Sequence, residues 1–377
     1  MLTILIPTKD RPMLAMRAVK SVLNQKEYGK AITLVVSDNS EIKQNREMLS
    51  SFCGYRDILY LETPKTLSMT AHWDWAFERV IDSNKYITIL TDRMVYKNNI
   101  FSEIFDFLEK SDAKIISYPN DSVGSINLIF GRLYFPSPQT TSGKIRKYSA
   151  DFLIKCASEC ILPMVLPRML NSIVSVNLVK QKKIQFGSFF DSISPDFNFC
   201  WSLLSIEKEI FYLDKSILIS GGLQFSNGAT SGRNNSFAAK SFKKLSMSEK
   251  GAFMTALPQI RGGTVNAILH EYEYLRKMVD NYPEPDFYQW YGRTLSSLKH
   301  SEIGKYKLDI EKFFEPSNLK WSENISLRES PKSLFTKMNR FKELLIARNL
   351  FLSENKAMEK IANTYSFGPY YPKRSYF

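Results

Sequence analysis

The sequence offers little metal or sulfur chemistry. Its 377 residues include four cysteines and three histidines, and Cys53, Cys156, Cys160 and Cys200 lack the paired spacing of a zinc site. A helix near 149–160 would place Cys156 and Cys160 on one face, where they read as small core residues. This cysteine usage points to a reducing, cytoplasmic setting. Long apolar runs are also missing: nothing approaches the ~18 residues of a transmembrane helix. The apolar start, Met1 to Pro7, has no basic leader or small-residue cleavage site and reads as a buried first strand. There is no compact basic run with interleaved aromatics of the nucleic-acid-binding kind. Internal repeats and low-complexity tracts are absent too.

What is present is an ordinary globular composition, 44% hydrophobic and 24% charged. The length suffices for a full α/β domain plus a smaller second region. A formal charge of +13 implies an anionic partner: a nucleotide, a nucleic acid or a lipid surface.

The first hundred residues alternate strand and helix signals. Leu2 to Pro7 is an apolar run, followed by a helical pattern from Met13 to Gln25 with Met16, Val19, Val22 and Leu23 at spacings of three and four. Ile32 to Val36 reads as a second strand, closed by the turn Ser37-Asp38-Asn39-Ser40, whose residues suit helix capping. A polar helix to about Ser51 precedes a third strand, Ile58 to Leu61. Ser68 opens a helix to Val80 with Met69, Trp73, Ala76, Phe77 and Val80 on one side, and Tyr86 to Leu90 is the fourth strand. Short apolar strands alternating with helices predict right-handed βαβ units and a parallel sheet buried on both faces.

Ligands of such sheets bind beyond the carboxyl ends of the strands. Acids stand there in order: Asp10 after strand one, Asp38 after strand two, Asp92 after strand four. That order argues for a nucleotide rather than a nucleic acid as the anionic partner. Past Ser117 the strand pattern loosens. Residues 136–148 read as a surface loop, 149–160 as a helix, Trp201 to Glu207 as a helix and 217–220 as a strand. From about Phe237 the signals are mostly helical. The expected organisation is therefore 1–236 as one α/β domain, with a nucleotide-binding half (1–120) and an acceptor half (121–236), then a helical region, 237–377.

Five segments in this order carry a resemblance. They are Ile4-Leu5-Ile6-Pro7-Thr8-Lys9-Asp10-Arg11, Ser21-Val22-Leu23-Asn24-Gln25, Val35-Val36-Ser37-Asp38-Asn39-Ser40, Leu67 to Trp73 running on to Ala76, and Tyr86 to Asp92. Residues 1 to about 120 resemble the amino-terminal half of GT-A fold glycosyltransferases, and are most similar to the large inverting family 2 in its bacterial surface-polysaccharide form. The resemblance implies a Rossmann-like, mostly parallel sheet flanked by helices. It implies an enzyme that moves a sugar from a UDP-, dTDP- or GDP-linked donor to a glycan or lipid-linked acceptor. It also places Pro7, Thr8, Asp10 and Arg11 around the nucleotide and Asp38 at the base, while Asp38-Asn39-Ser40 also suits a helix cap, and the two roles are compatible. Where the family carries asparagine this chain has His72, which either contacts the phosphates or fills a polar gap. The first-turn N–H groups after Ser68 suit phosphate.

Asp92 aligns with the first acid of the family's Asp-x-Asp motif, which implies Mg²⁺ or Mn²⁺. The last acid of that motif is here Met94, a soft ligand unsuited to hard cations. Between them stands Arg93, a permanent cation that suits phosphate. Either Arg93, with Lys97, takes over the metal's role, or Arg93 faces solvent and a metal binds through Asp92. For the catalytic base the family pattern selects Asp196, in Pro195-Asp196-Phe197, with Asp191 second. The plain alternative for Asp196 is a helix N-terminal charge.

Ser226 to Ser236 reads as a flap bringing Arg233 to the diphosphate, or as a linker. Leu334, Met338, Phe341 and Leu345, flanked by basic residues, form either a helix lying on the anionic inner face of the plasma membrane or one docked on the domain. Two rival readings remain: a non-catalytic GT-A-like nucleotide binder, suggested by Met94, and a nucleotidyltransferase. The latter would carry a Gly-rich basic loop after strand one, which Pro7-Thr8-Lys9-Asp10 is not.

Overall fold

The computed structural model describes residues 1–56, 58–128, 131–221, 264–297 and 353–364. Arg233, the 226–236 segment, the 334–345 pattern and the boundary at 236/237 lie outside the described residues.

An eight-stranded sheet has the order β3-β2-β1-β4-β10-β6-β11-β9. Its first half is the predicted one: β1 (Leu2–Thr8), β2 (Ile32–Asp38), β3 (Leu59–Glu62) and β4 (Tyr86–Ile89) run parallel. The second half contains β6 (Ile115–Ser117), β9 (Ile145–Ser149), β10 (Ser172–Ser175) and β11 (Glu209–Leu213). Of these, β10 is antiparallel to β4 and β6, and β9 is antiparallel to β11. The sheet is mixed and mostly parallel. A second sheet, β5-β12-β7-β8, is built from Met94–Tyr96, Leu218–Ser220, Asn120–Leu128 and Gly131–Ser137.

The predicted loosening after Ser117 is therefore a change of sheet and not an end of strands. In β7, Asp121, Ser122, Gly124 and Ser125 occupy positions where an apolar period would announce a strand. The irregular stretch expected over 136–148 is shorter, because Ile145–Ser149 pairs with β11 as an exposed edge strand.

The central strands bury both faces. β1 sends Leu2, Ile4 and Ile6 to one core and Leu5 to the other, the period of two that a pleated strand imposes. One core lies under α1 (Pro12–Leu23), α2 (Lys43–Gly54) and α4 (Phe101–Lys110); the other lies under α3 (Met69–Val80), α5 (Ala150–Ser158), α6 (Val176–Phe186) and α7 (Pro195–Ile206). α1 starts on Pro12, a favoured first-turn residue. It turns Ala15, Ala18, Val19 and Val22 fully inward, while Met16 and Leu23 only flank that core.

The helices α8 (Thr264–Arg276) and α9 (Phe287–Ser297) share the α3–α7 core. Tyr272 meets Trp201 of α7 edge-on at 5.8 Å, and Trp290 donates its indole N–H to Ala157 O of α5 at 3.0 Å. A further helix, Glu354–Thr364, packs Ala357, Met358 and Ile361 on the second sheet. Arg17 of α1 reaches its first turn, donating to Asn355 Oδ1 at 2.6 Å and pairing with Glu354 at 3.4 Å. No helix among the described residues is long and apolar enough to cross a membrane.

Candidate active site

The parallel strands deliver their last residues to one edge. Thr8 ends β1, Asp38 ends β2, and Asp92 follows β4. The Thr8 hydroxyl donates to Asp92 Oδ2 at 2.9 Å, and Arg11 Nε stands 3.3 Å from the same oxygen. Pro7 is buried in β1 beside them. Asp92 is 3% exposed. Burial raises its carboxyl pKa, against the opposing pull of Arg11, the Thr8 hydroxyl, Arg93 and Arg17.

Arg93 does not point to solvent. Its Nη1 donates to Ser220 Oγ at 2.8 Å and to Gly221 O at 3.2 Å, which fastens it to the end of β12. Two of its five donors serve these bonds. Burial lowers the Arg93 pKa, while the charges of Asp92 and Asp196 favour its ionised form. Lys97 lies elsewhere, in a buried pair with Asp121 at 2.7 Å.

The donor set at Asp92 does not fit the divalent cation that a GT-A fold implies. Thr8 and Arg11 both take Oδ2 of Asp92, and Met94, where the pair's second acid would stand, packs its thioether in the core. Among the described residues no three His, Cys, Asp or Glu side chains group as ligands.

Asp10 binds the loop that follows β2. It sits at φ +54°, accepting from the backbone N–H of Glu41 (3.1 Å) and of Ile42 (3.0 Å), and so satisfies the entry to α2. The capping expected from Asp38-Asn39-Ser40 is thus supplied by Asp10, and the N-cap Ile42 contributes no side-chain bond. Asp38 is fully buried; its two oxygens accept from Ser40 N–H and the Tyr60 hydroxyl, each at 2.8 Å. Ser68 caps α3 by accepting from Ala71 N–H at 3.1 Å. His72 is buried with Nε2 2.8 Å from Ser37 Oγ. Burial, with Lys9, pushes its pKa down to about 3, which favours the neutral imidazole.

Asp196 occupies the first turn of α7, half-buried. Burial raises its pKa; the opposing influences are, in order, Arg168, two backbone N–H groups and Arg93. Asp196 thus shares an electrostatic neighbourhood with the Asp92–Arg93 edge. Asp191 is committed elsewhere, accepting from Ser192 N–H at 2.8 Å and from the Tyr274 hydroxyl at 3.0 Å.

Two residues of this region escaped the sequence reading. Arg168 holds its guanidinium 5.3 Å from the Phe197 ring centre, next to Asp196. It ends an irregular Pro163–Arg168 connection without periodicity, so no motif marked it. Glu271 lies fully buried in α8. An acid on the stripe Ile268, Leu269, Tyr272, Leu275 is the signal that would have found it.

The eight-stranded, mostly parallel sheet flanked by helices has the architecture of a GT-A glycosyltransferase fold. Among solved structures the chain is similar to TarS of S. aureus, a GT-A-type glycosyltransferase. The TarS 1-349 complex with UDP-GlcNAc matches at 11% identity and a TM-score of 0.50, over 83% of this chain and 80% of that one. The UDP complex matches at 10% and 0.48, over 85% and 93%. Against the longer TarS structure, the chain spans 43% of that protein's length. At these identities the likeness is one of fold. No protein-family model matches the sequence, and no curated protein matches it.

Proposed function

We propose that the protein is an inverting glycosyltransferase that moves a sugar from a nucleotide-sugar donor to a glycan or lipid-linked acceptor in surface-polysaccharide synthesis. The observation that carries the reading is the meeting of Arg11, Arg93 and Asp92 at the strand edge with Asp196 and Arg168 in electrostatic reach. In this reading Asp196 takes the acceptor hydroxyl proton as that oxygen attacks the anomeric carbon. The new glycosidic bond forms as the bond from that carbon to the phosphate oxygen breaks, and its electron pair leaves on the nucleoside diphosphate. Arg11, Arg93 and Arg168 offset the charge that develops there, the part elsewhere played by a metal. A UDP-sugar is the first donor to test, because the TarS structure of like fold holds UDP-GlcNAc.

The formal charge of +13 suits an acceptor presented at an anionic inner membrane face, with the enzyme cytoplasmic and peripheral. A second reading, a nucleotide binder without turnover, draws on the burial of Met94 where a ligand acid would stand.

One panel tests both. Nucleotide sugars are screened for binding and for transfer, with Mn²⁺ and with excess EDTA. The expected result is binding of a UDP-, dTDP- or GDP-sugar, and turnover that persists in EDTA. Turnover lost in EDTA and restored by Mn²⁺ would sink the arginine mechanism. Binding without transfer to any acceptor would favour the second reading.

A further inference from the structure

The segment that delivers Asp196 is held from outside its own helix. Glu271 of α8 reaches across to it: Oε1 accepts from the backbone N–H of Ile193 at 3.1 Å and of Ser194 at 2.7 Å, and Oε2 from the Asn198 amide at 3.3 Å. Ser194 is the N-cap of α7 and makes no side-chain capping bond of its own. The N–H of the N-cap and the one before it therefore find their acceptor in a carboxyl from a different helix. Tyr274, one turn along α8, holds Asp191 at 3.0 Å. From the other side, the Thr70 hydroxyl of α3 donates to Ser192 O at 2.7 Å. Ser192 sits at φ +64°, a conformation that costs a non-glycine residue about 1 kcal/mol or more and persists only when its surroundings enforce it.

A buried acid is an expensive acceptor for two backbone N–H groups. The Ser194 hydroxyl, as an N-cap, could serve only N–H groups further into the first turn, and it makes no such bond. Instead the chain buries Glu271 completely, and burial pushes its pKa up to about 8 even with the Ser194 N–H and the Asn198 amide pulling the other way. Asp196 adds to that rise, so the two acids feel one another across the first turn of α7.

From this geometry we infer that Glu271 is a positioning residue for Asp196: α8 clamps the 191–198 segment so that the base meets the acceptor hydroxyl. The inference rests on the assignment of Asp196 as the base. It also gives residues 264–276 a part in the reaction without contact to either substrate.

The test is a double-mutant cycle on the full chain with an exchange measurement beside it. Glu271→Ala is expected to lower kcat by about 10²-fold, the scale of an ångström-sized misplacement, with donor KM little changed. Glu271→Gln, which keeps an acceptor oxygen for the Ile193 and Ser194 N–H groups, is expected to recover most of kcat. In an Asp196→Asn background, Glu271→Ala is expected to cost nothing further, because it acts through Asp196. Hydrogen exchange of the Ile193 and Ser194 amides is expected to quicken in Glu271→Ala while that of β1 and β2 does not. Unchanged kcat in Glu271→Ala, an equal loss in the Asp196→Asn background, or unchanged exchange overturns the clamp. A wild-type protein inert toward every nucleotide sugar instead overturns the function reading, and the exchange arm then still decides whether the clamp exists.

Discussion

Asp196→Asn is expected to cut sugar transfer by about 10²–10⁴-fold, the usual scale for removing a general base, and to leave nucleotide binding intact. The substitution keeps the shape of the side chain and the first turn of α7, so the loss falls on the proton-transfer step. Nucleotide titration beside steady-state kinetics separates the two. Turnover within a few-fold of wild type would remove Asp196 from the mechanism and return the residue to the role of a helix N-terminal charge. Asp191 is then a poor substitute, because Ser192 N–H and the Tyr274 hydroxyl already hold its carboxylate.

The pH dependence follows from the environment of Asp196. Burial raises its pKa, with Arg168 the largest opposing influence. A base works only when ionised, so kcat/KM is expected to fall on the acid side at a pH above the ordinary aspartate value of about 3.9. Linkage runs the other way for stability. A folded-state pKa above the unfolded one means the folded protein binds the proton more tightly. That contribution is present below the unfolded value and fades as pH rises through the folded one. At neutral pH the neutral Asp196→Asn side chain is therefore expected to melt no lower than wild type, which a thermal scan checks. Loss of activity with unchanged or raised Tm is the signature of a base; loss of both points to a structural acid.

The half of the molecule that the sequence made legible is the half where one element follows another along the chain. β1 to β4 declare themselves as short apolar runs and α1 and α3 by a spacing of three and four, and each strand pairs within one four-stranded parallel block, β3-β2-β1-β4. Asp92 could be placed from this alone, because a residue just past a parallel strand has one edge to occupy. The same logic does not reach the partners of Asp10. It also follows a strand, but its backbone turns back at φ +54° and delivers the carboxylate to α2. Periodicity says nothing of that reversal. Long-range partnerships were invisible for a related reason. Arg93 reaches Ser220 across 127 positions, Arg168 is the largest influence opposing the burial of Asp196, and Glu271 holds the N–H groups just ahead of a helix that begins 76 positions earlier, at Pro195. Such pairs are made by tertiary packing of elements whose own patterns do not mention one another.

Arg93 carries the other large prediction. Its guanidinium is held by Ser220 Oγ and Gly221 O at the end of β12, beside an Asp92 already committed to Thr8 and Arg11. A charge fixed in place before the reaction costs no reorganisation when the diphosphate departs, and in a half-buried site it acts through a lower dielectric than water. Arg93→Ala is therefore expected to lower kcat by about 10²–10³-fold, the scale of losing one preorganised electrostatic donor. Arg93→Lys is expected to recover only part of it, because an ammonium keeps the charge but not the planar fork that spans both the β12 anchor and a phosphate. The decisive arm is Mn²⁺ added to Arg93→Ala. If arginine has taken the metal's place, the cation has no second acid to bind, since Met94 packs in the core, and activity stays low. Recovery with Mn²⁺ would mean that phosphate and Asp92 suffice to hold a cation, and that Arg93 anchors β12 and does no more.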